Sequence, residues 1–235
     1  MTNNALIKLK NVSQSFAVNK EIITPLKSVN LDILENSFNI IFGPSGSGKS
    51  TILNTILGLE PPTSGTVSVN DIDLYSLSSD QRAKFRTHFV GMVTQDNYWV
   101  NSLSVADNVA LPLYLSGWKR NKARKMAKKS VERVHLERYM NSRPTVLSGG
   151  EQQRISVARA TVKNPEIIIA DEPTGNLDTA SGNEVLNLLL NQTKDGASTV
   201  VMVTHNPEFL QYSNNILHIK DGVVNQENTF EGESK

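Results

Sequence analysis

The chain has 235 residues, enough for one well-cored α/β domain, and carries a net charge of +1 with no cysteine. Its longest apolar runs, Ile167 to Ala170 and Val200 to Val203, are strand-sized and far short of the roughly 20 residues a membrane helix needs, which excludes a bilayer-spanning segment among them. Residues 1–9 lack a basic stretch followed by an apolar one, so no secretory signal is expected.

In chain order, the alternation in Ala5 to Val12 predicts a strand, and Val29 to Ile33 predicts another, so the N-terminal part reads as β-rich. Phe38 to Phe42 predicts a short buried strand. It runs into Gly43-Pro44-Ser45-Gly46-Ser47-Gly48-Lys49-Ser50, after which Thr51 to Leu57 has helical periodicity. This is a full P-loop pattern in its proper strand, loop, helix setting. Glycines let successive backbone N–H groups turn toward one anion-binding hollow, and the helix start adds its dipole and unpaired amides. Lys49 can reach the β- and γ-phosphates, and Ser50 is left to ligate Mg²⁺.

Pro61 to Gly65 is a turn signal before a strand at Thr66 to Asn70, and Phe89 to Thr94 predicts a buried strand ending at Gln95. A helical insertion follows from about Ser104 to Val162, broken near Pro144, with a helix that kinks or begins at Pro112. Within it Lys119, Arg120, Lys122, Arg124, Lys125, Lys128 and Lys129 lie together with no acid, leaving 17 basic residues against 23 acidic in the rest of the chain. Such a run is either a solvated helix face or a surface for anionic lipid or nucleic acid; aromatics are not interleaved, which speaks against nucleic acid.

From Glu166 strands and helices alternate: Ile167 to Ala170, helix Ala180 to Leu190, strand Thr199 to Thr204, helix Pro207 to Tyr212, strand Ile216 to Lys220. This predicts crossovers and a largely parallel sheet, with a loosely ordered end from Asn225 to Lys235. The strand at Ile167 delivers Asp171 and Glu172 at its carboxyl end, where ligands sit in open α/β sheets. Asp171 suits a Mg²⁺ ligand, and Glu172 is placed to prepare a water for attack on the γ-phosphate; the other reading is a capping pair before Pro173. Leu147-Ser148-Gly149-Gly150-Glu151-Gln152-Gln153-Arg154 opens a helix. Its Ser-Gly-Gly start is either a capping box of Ser148 with Glu151 or an anion cradle for a second molecule's ATP.

The order of these motifs resembles the ATP-binding-cassette (ABC) ATPases from Leu6 to about Val224: P-loop, Gln95, Leu-Ser-Gly-Gly-Glu-Gln at Leu147, Asp171-Glu172-Pro173, Gly175-Asn176-Leu177-Asp178, then His205. The resemblance implies a P-loop α/β fold with a mainly parallel core sheet, an N-terminal antiparallel β subdomain and a helical subdomain over about 96–163. It implies one domain over 1–225 with a flexible tail over 226–235. It further implies a head-to-tail dimer in which Ser148, Gly149 and Gly150 of one subunit close over the ATP held by the P-loop, Gly43 to Thr51, of the other. Asp178 then lies at the seam, Gln95 joins Mg²⁺ and the attacking water to the helical insertion, His205 contacts the γ-phosphate, and Phe16 stacks on adenine.

Asn108 to Leu113 and the P-loop resemble the branch that serves macrolide export, lipoprotein release and antimicrobial-peptide resistance. That resemblance implies a separate integral-membrane permease as partner, a second copy of the ATPase as a homodimer, no nucleic acid, and a place on the cytoplasmic face of the membrane. A soluble ABC regulator in a division-type membrane complex is the alternative. Where the branch carries an aromatic, Asn, an aliphatic pair and Pro after its Gln, this chain has Asp96 to Asn101. Trp99 there is either an exposed anchor for the partner or packed into the insertion.

Overall fold

A computed structural model describes residues 5–19, 21–194 and 198–228. The chain divides into two compact units, residues 1–86 with 201–235, and residues 87–200.

In the first unit, β1 (Ala5–Val18), β2 (Glu21–Leu34), β4 (Ser64–Val69) and β5 (Ile72–Asp73) form an antiparallel sheet in the order β2-β1-β4-β5. Alternation drives it, since Ile7, Leu9, Val67 and Ile33 turn inward and are buried. β1 and β2 reach well beyond the alternating stretches because register shifts let the ladder continue through Gln14 and Phe16, to Val18 opposite Glu21. The second set of strands is β3 (Phe38–Phe42), β8 (Thr199–Thr204), β9 (Asn215–Lys220) and β10 (Val223–Asn228), ordered β10-β9-β3-β8. β3 and β9 run parallel, Asn39 opposite Asn215, while β10 returns antiparallel on β9. The end of the chain, expected to be loose from Asn225, is therefore paired strand as far as Asn228; 229–235 lie outside the described residues. Helix α1 (Lys49–Ile56) buries Ile52, Leu53 and Ile56, each such side chain contributing about 1.5–3 kcal/mol. The segment Pro207–Tyr212 is a 3₁₀ turn, not an α-helix.

The chain passes to the second unit through α2 (Ser79–Phe89). There β6 (Val90–Thr94) pairs in parallel with β7 (Ile167–Asp171), Thr94 opposite Asp171. The helices are α3 (Val105–Leu115), α4 (Arg120–Arg133), α5 (Gly149–Thr161) and α6 (Thr179–Leu190). α3 begins at Val105, capped by Ser104, so Pro112 lies inside the helix and does not start it. Val109, Leu113, Ala127, Val131, Ile155 and Ala158 form the centre of the helical core, and Trp99 packs against that core from the loop after β6. Among the described residues, no helix is long and apolar enough to cross a membrane.

Candidate functional site

The P-loop residues all belong to the first unit. Gly48 is the N-cap of α1 at φ 107°, a left-handed angle that favours glycine, and a Cβ there would lie 2.4 Å from the Pro25 carbonyl oxygen. Because Gly48 has no side chain, none caps α1, and the first turn holds no acid. Its leading amides and positive dipole end are thus left for an external anion. Lys49 Nζ donates to the carbonyl oxygens of Gly43 and Pro44, both at 2.8 Å, so the ammonium is held over its own loop. Ser47 Oγ is buried with no hydrogen-bond partner among the described residues, a polar atom that a phosphate oxygen would satisfy. Ser50 is exposed and Thr51 half-buried at the head of the helix.

Phe16 sits half-buried near the end of the β1–β2 ladder, opposite Ile23. Ile22 and Ile23 are exposed there, and sequence reading passed them over because they lie outside the stretches whose alternation marks a strand. His205 is exposed immediately after β8.

In the second unit the register brings three predicted residues together. Thr94 and Asp171 are partners at the carboxyl ends of β6 and β7, so Gln95 and Glu172 leave the sheet as neighbours. Glu172 has φ 45°, a left-handed angle that is uncommon for a non-glycine residue and that clusters at functional sites. Gln95 Nε2 donates to Asn176 Oδ1 at 3.1 Å, tying the loop after β6 to the turn after β7. A cavity of about 230 Å³ opens between these loops and the start of α5, lined by Gln95, Glu172, Asn176, Gly149, Gln152 and Gln153 among others.

Ser148 and Glu151 form the capping box in full. Ser148 Oγ accepts from the Glu151 amide at 3.3 Å, and the Ser148 amide donates to Glu151 Oε2 at 2.9 Å. The Ser148 amide, with the Ser148 hydroxyl and Arg138 adding, holds the Glu151 carboxyl below the usual carboxylate range. Gly150 faces α6 so closely that a Cβ would stand 2.7 Å from Ser181 Oγ. Asp178 caps α6, accepting from the Ser181 amide at 3.0 Å and the Ser181 hydroxyl at 2.8 Å, and these bonds lower its carboxyl too. Glycine run, capping box and Asp178 thus form one contiguous edge.

Trp99 is packed, not an exposed anchor. Its indole N–H donates to Gln152 Oε1 and its ring lies under the Arg159 guanidinium at 4.4 Å. The exposed aromatic of that loop is its neighbour Tyr98, at 77 %. Sequence reading assigned no role to Asn108, which is fully buried and fastens the same loop by accepting from the Val100 amide and donating to the carbonyls of Val100 and Ser104. Nor did it find Gln153, whose side chain donates to the Thr94 carbonyl at the end of β6. A polar residue on a helix face gives no signal of which neighbour it will meet.

The ABC transporter family pattern matches residues 26–175. The uncharacterised ABC transporter ATP-binding protein MJ0796 of Methanocaldococcus jannaschii is 42 % identical over 231 residues, covering 97 % of this chain and 98 % of that protein. The macrolide export ATP-binding/permease protein MacB 2 of Yersinia pestis is 39 % identical over 219 residues, 93 % of this chain but 32 % of that longer protein. A dimeric post-hydrolysis structure of the MJ0796 cassette bound to ADP and Pi superposes with a TM-score of 0.86 at 40 % identity, covering 94 % of this chain and 98 % of that one.

Proposed function

The chain belongs to the ABC transporter family, and from that membership we propose that it works as a dimer closing around two ATP molecules to drive a separate membrane permease of the export or mechanotransmission type. It is an ATP-binding ATPase subunit of that family, related to the macrolide-export branch. In the proposed arrangement it sits on the cytoplasmic face of the membrane.

The observation that carries the reading is the clustering of Gln95, Glu172 and Gly149 around one cavity in the second unit. It joins the candidate base to the Ser-Gly-Gly helix start and to the loop that would face the permease. Support for the dimer comes from the dimeric MJ0796 cassette, whose chain this one matches over nearly its full length.

Each residue then has a task. The P-loop amides and Lys49 counter the charge that develops on the transferred phosphoryl group. Ser50, Gln95 and Asp171 are the groups of this chain that suit Mg²⁺, a hard cation bound through one or two carboxylates together with substrate phosphates, and Mg²⁺ would supply charge neutralisation. Glu172 orients the attacking water and accepts its proton as the bond to the γ-phosphorus forms and the bond to the ADP oxygen breaks. His205 contacts the γ-phosphate, Phe16 stacks on adenine, and Ser148, Gly149, Gly150 and Asp178 close on the partner's nucleotide.

Co-purification from detergent-solubilised native membranes tests the reading. Recovery of a polytopic permease, strengthened by ATP in a Glu172→Gln variant, is the expected result. Recovery of soluble partners alone would move the assignment to a regulator that does no transport.

A further inference from the structure

Helix α4 has one buried stripe and one strongly cationic one. Ala123, Ala127, Ser130 and Val131 are buried, whereas Lys122, Lys125, Lys128, Lys129 and Arg133 are exposed, with Lys119 and Arg120 exposed at its start. Two of the chain's acids offset part of this charge: Glu132 lies 3.8 Å from Lys128 on the same helix, and Asp107 of α3 lies 3.6 Å from Arg124. Lys122, Lys125 and Lys129 have no carboxylate partner among the described residues, and their spacing of three and four places them along one exposed stripe.

The approach to this stripe is apolar. α3 ends at Leu115, which is 80 % exposed, and the turn that follows, closed by the Trp118 amide donating to the Leu113 carbonyl at 3.0 Å, leaves the Trp118 side chain 44 % exposed. A leucine and a tryptophan held in solvent immediately before a row of lysines without a carboxylate partner among the described residues make the composition of an interfacial helix. Its apolar groups enter the headgroup boundary while long cationic side chains reach the anionic surface.

We propose that Leu115, Trp118 and the Lys122–Lys125–Lys129 stripe form a docking surface for an anionic lipid bilayer. Charge complementarity favours this occupant, because the rest of the chain is net acidic and the positive charge is concentrated on this one helix. Nucleic acid fits less well, since a single-stranded ligand needs aromatic platforms interleaved with the cations, and α4 contains none. The surface needs no permease to act, so its test stands apart from that of the transport reading.

Flotation of the full purified chain with protein-free vesicles is the test. Binding is expected to vesicles containing phosphatidylglycerol and not to phosphatidylcholine alone, and to fall as added salt shortens the screening length. Lys122→Glu with Lys125→Glu and Lys129→Glu should lower the partition by roughly tenfold or more. Leu115→Ser with Trp118→Ser should weaken it while keeping its salt dependence. Both variants alter exposed positions outside the nucleotide machinery and should retain basal ATPase activity in solution. Equal binding to neutral vesicles, no binding to anionic ones, or wild-type binding by the triple variant would overturn the proposal. So would duplex or single-stranded nucleic acid displacing the protein from vesicles at stoichiometric concentration.

Discussion

The Trp99 indole N–H donates to Gln152 Oε1 at 2.9 Å, and Gln152 Nε2 donates onward to the Leu147 carbonyl at 3.0 Å. Two hydrogen bonds therefore connect the loop after Gln95 to the residue just before Ser148. The Arg159 guanidinium completes the joint by covering the ring and donating to the Asn97 carbonyl at 2.6 Å. Burial lowers Arg159 to about 10, so it remains charged at neutral pH, and the ring face and the carbonyl supply the negative density it needs.

Trp99→Phe keeps a ring under Arg159 but strands the Gln152 acceptor, and should cost about 1 kcal/mol. Trp99→Ala removes the ring as well and should cost about 3 kcal/mol, the low end for an aromatic truncation because Trp99 is only partly buried. Urea unfolding of the three proteins reads both differences. A Trp99→Ala midpoint indistinguishable from wild type would mean the ring does not hold the loop.

The placement of Trp99 shows where sequence reading stops. The P-loop was legible because glycines, Lys49 and Ser50 fall in one short run whose types answer directly to phosphate, and the flanking β3 and α1 followed from apolar pattern. Nothing in Asp96 to Asn101 says which side of the loop meets α5, since that depends on partners such as Gln152 and Arg159 more than fifty positions away. Helix α2 was missed for a related reason: it buries no residue, so it has no apolar stripe to read. β10 was missed because only its pairing with β9, not its polar composition, makes it a strand.

Glu172→Gln preserves size and hydrogen bonding but removes the basic oxygen. ATP turnover should fall by about 10² to 10⁴, while nucleotide binding persists. Lys49→Ala should instead weaken nucleotide binding itself, because the ammonium is part of the cradle. Single-turnover hydrolysis alongside titration with a fluorescent ATP analogue separates the two effects. Near-wild-type turnover by Glu172→Gln would remove it as the base.

Gly150→Ala tests the close approach of α5 to α6. The added methyl would meet Ser181 Oγ at 2.7 Å and Ser181 Cβ at 2.8 Å, so the helices must separate, at a cost of about 1–3 kcal/mol. Ser181→Gly in the same chain clears both atoms and should recover much of the lost stability, less the hydroxyl bond Ser181 made to Asp178 and the helix cost of a glycine. If stability returns while ATPase activity does not, Gly150 has a task beyond helix packing, as closure over a partner's nucleotide requires. If both return together, its role is steric.

The two caps on this edge respond to acid. The Glu151 and Asp178 carboxyls are both held below their ordinary values in the folded chain, chiefly by backbone amides, that of Ser148 for Glu151 and that of Ser181 for Asp178. A group depressed by folding contributes stability that is fully present above its unfolded value, about 4 for these side chains, and that is lost as pH falls through the folded value. Wild type should therefore exceed a Glu151→Gln, Asp178→Asn double variant in urea midpoint at neutral pH, and the gap should close only below about pH 4. Amide protection of Ser148 and Ser181, the two residues whose N–H groups these carboxylates receive, should fall over the same window. A gap that stays constant into acid would mean the caps act through shape alone, with no contribution from carboxylate charge.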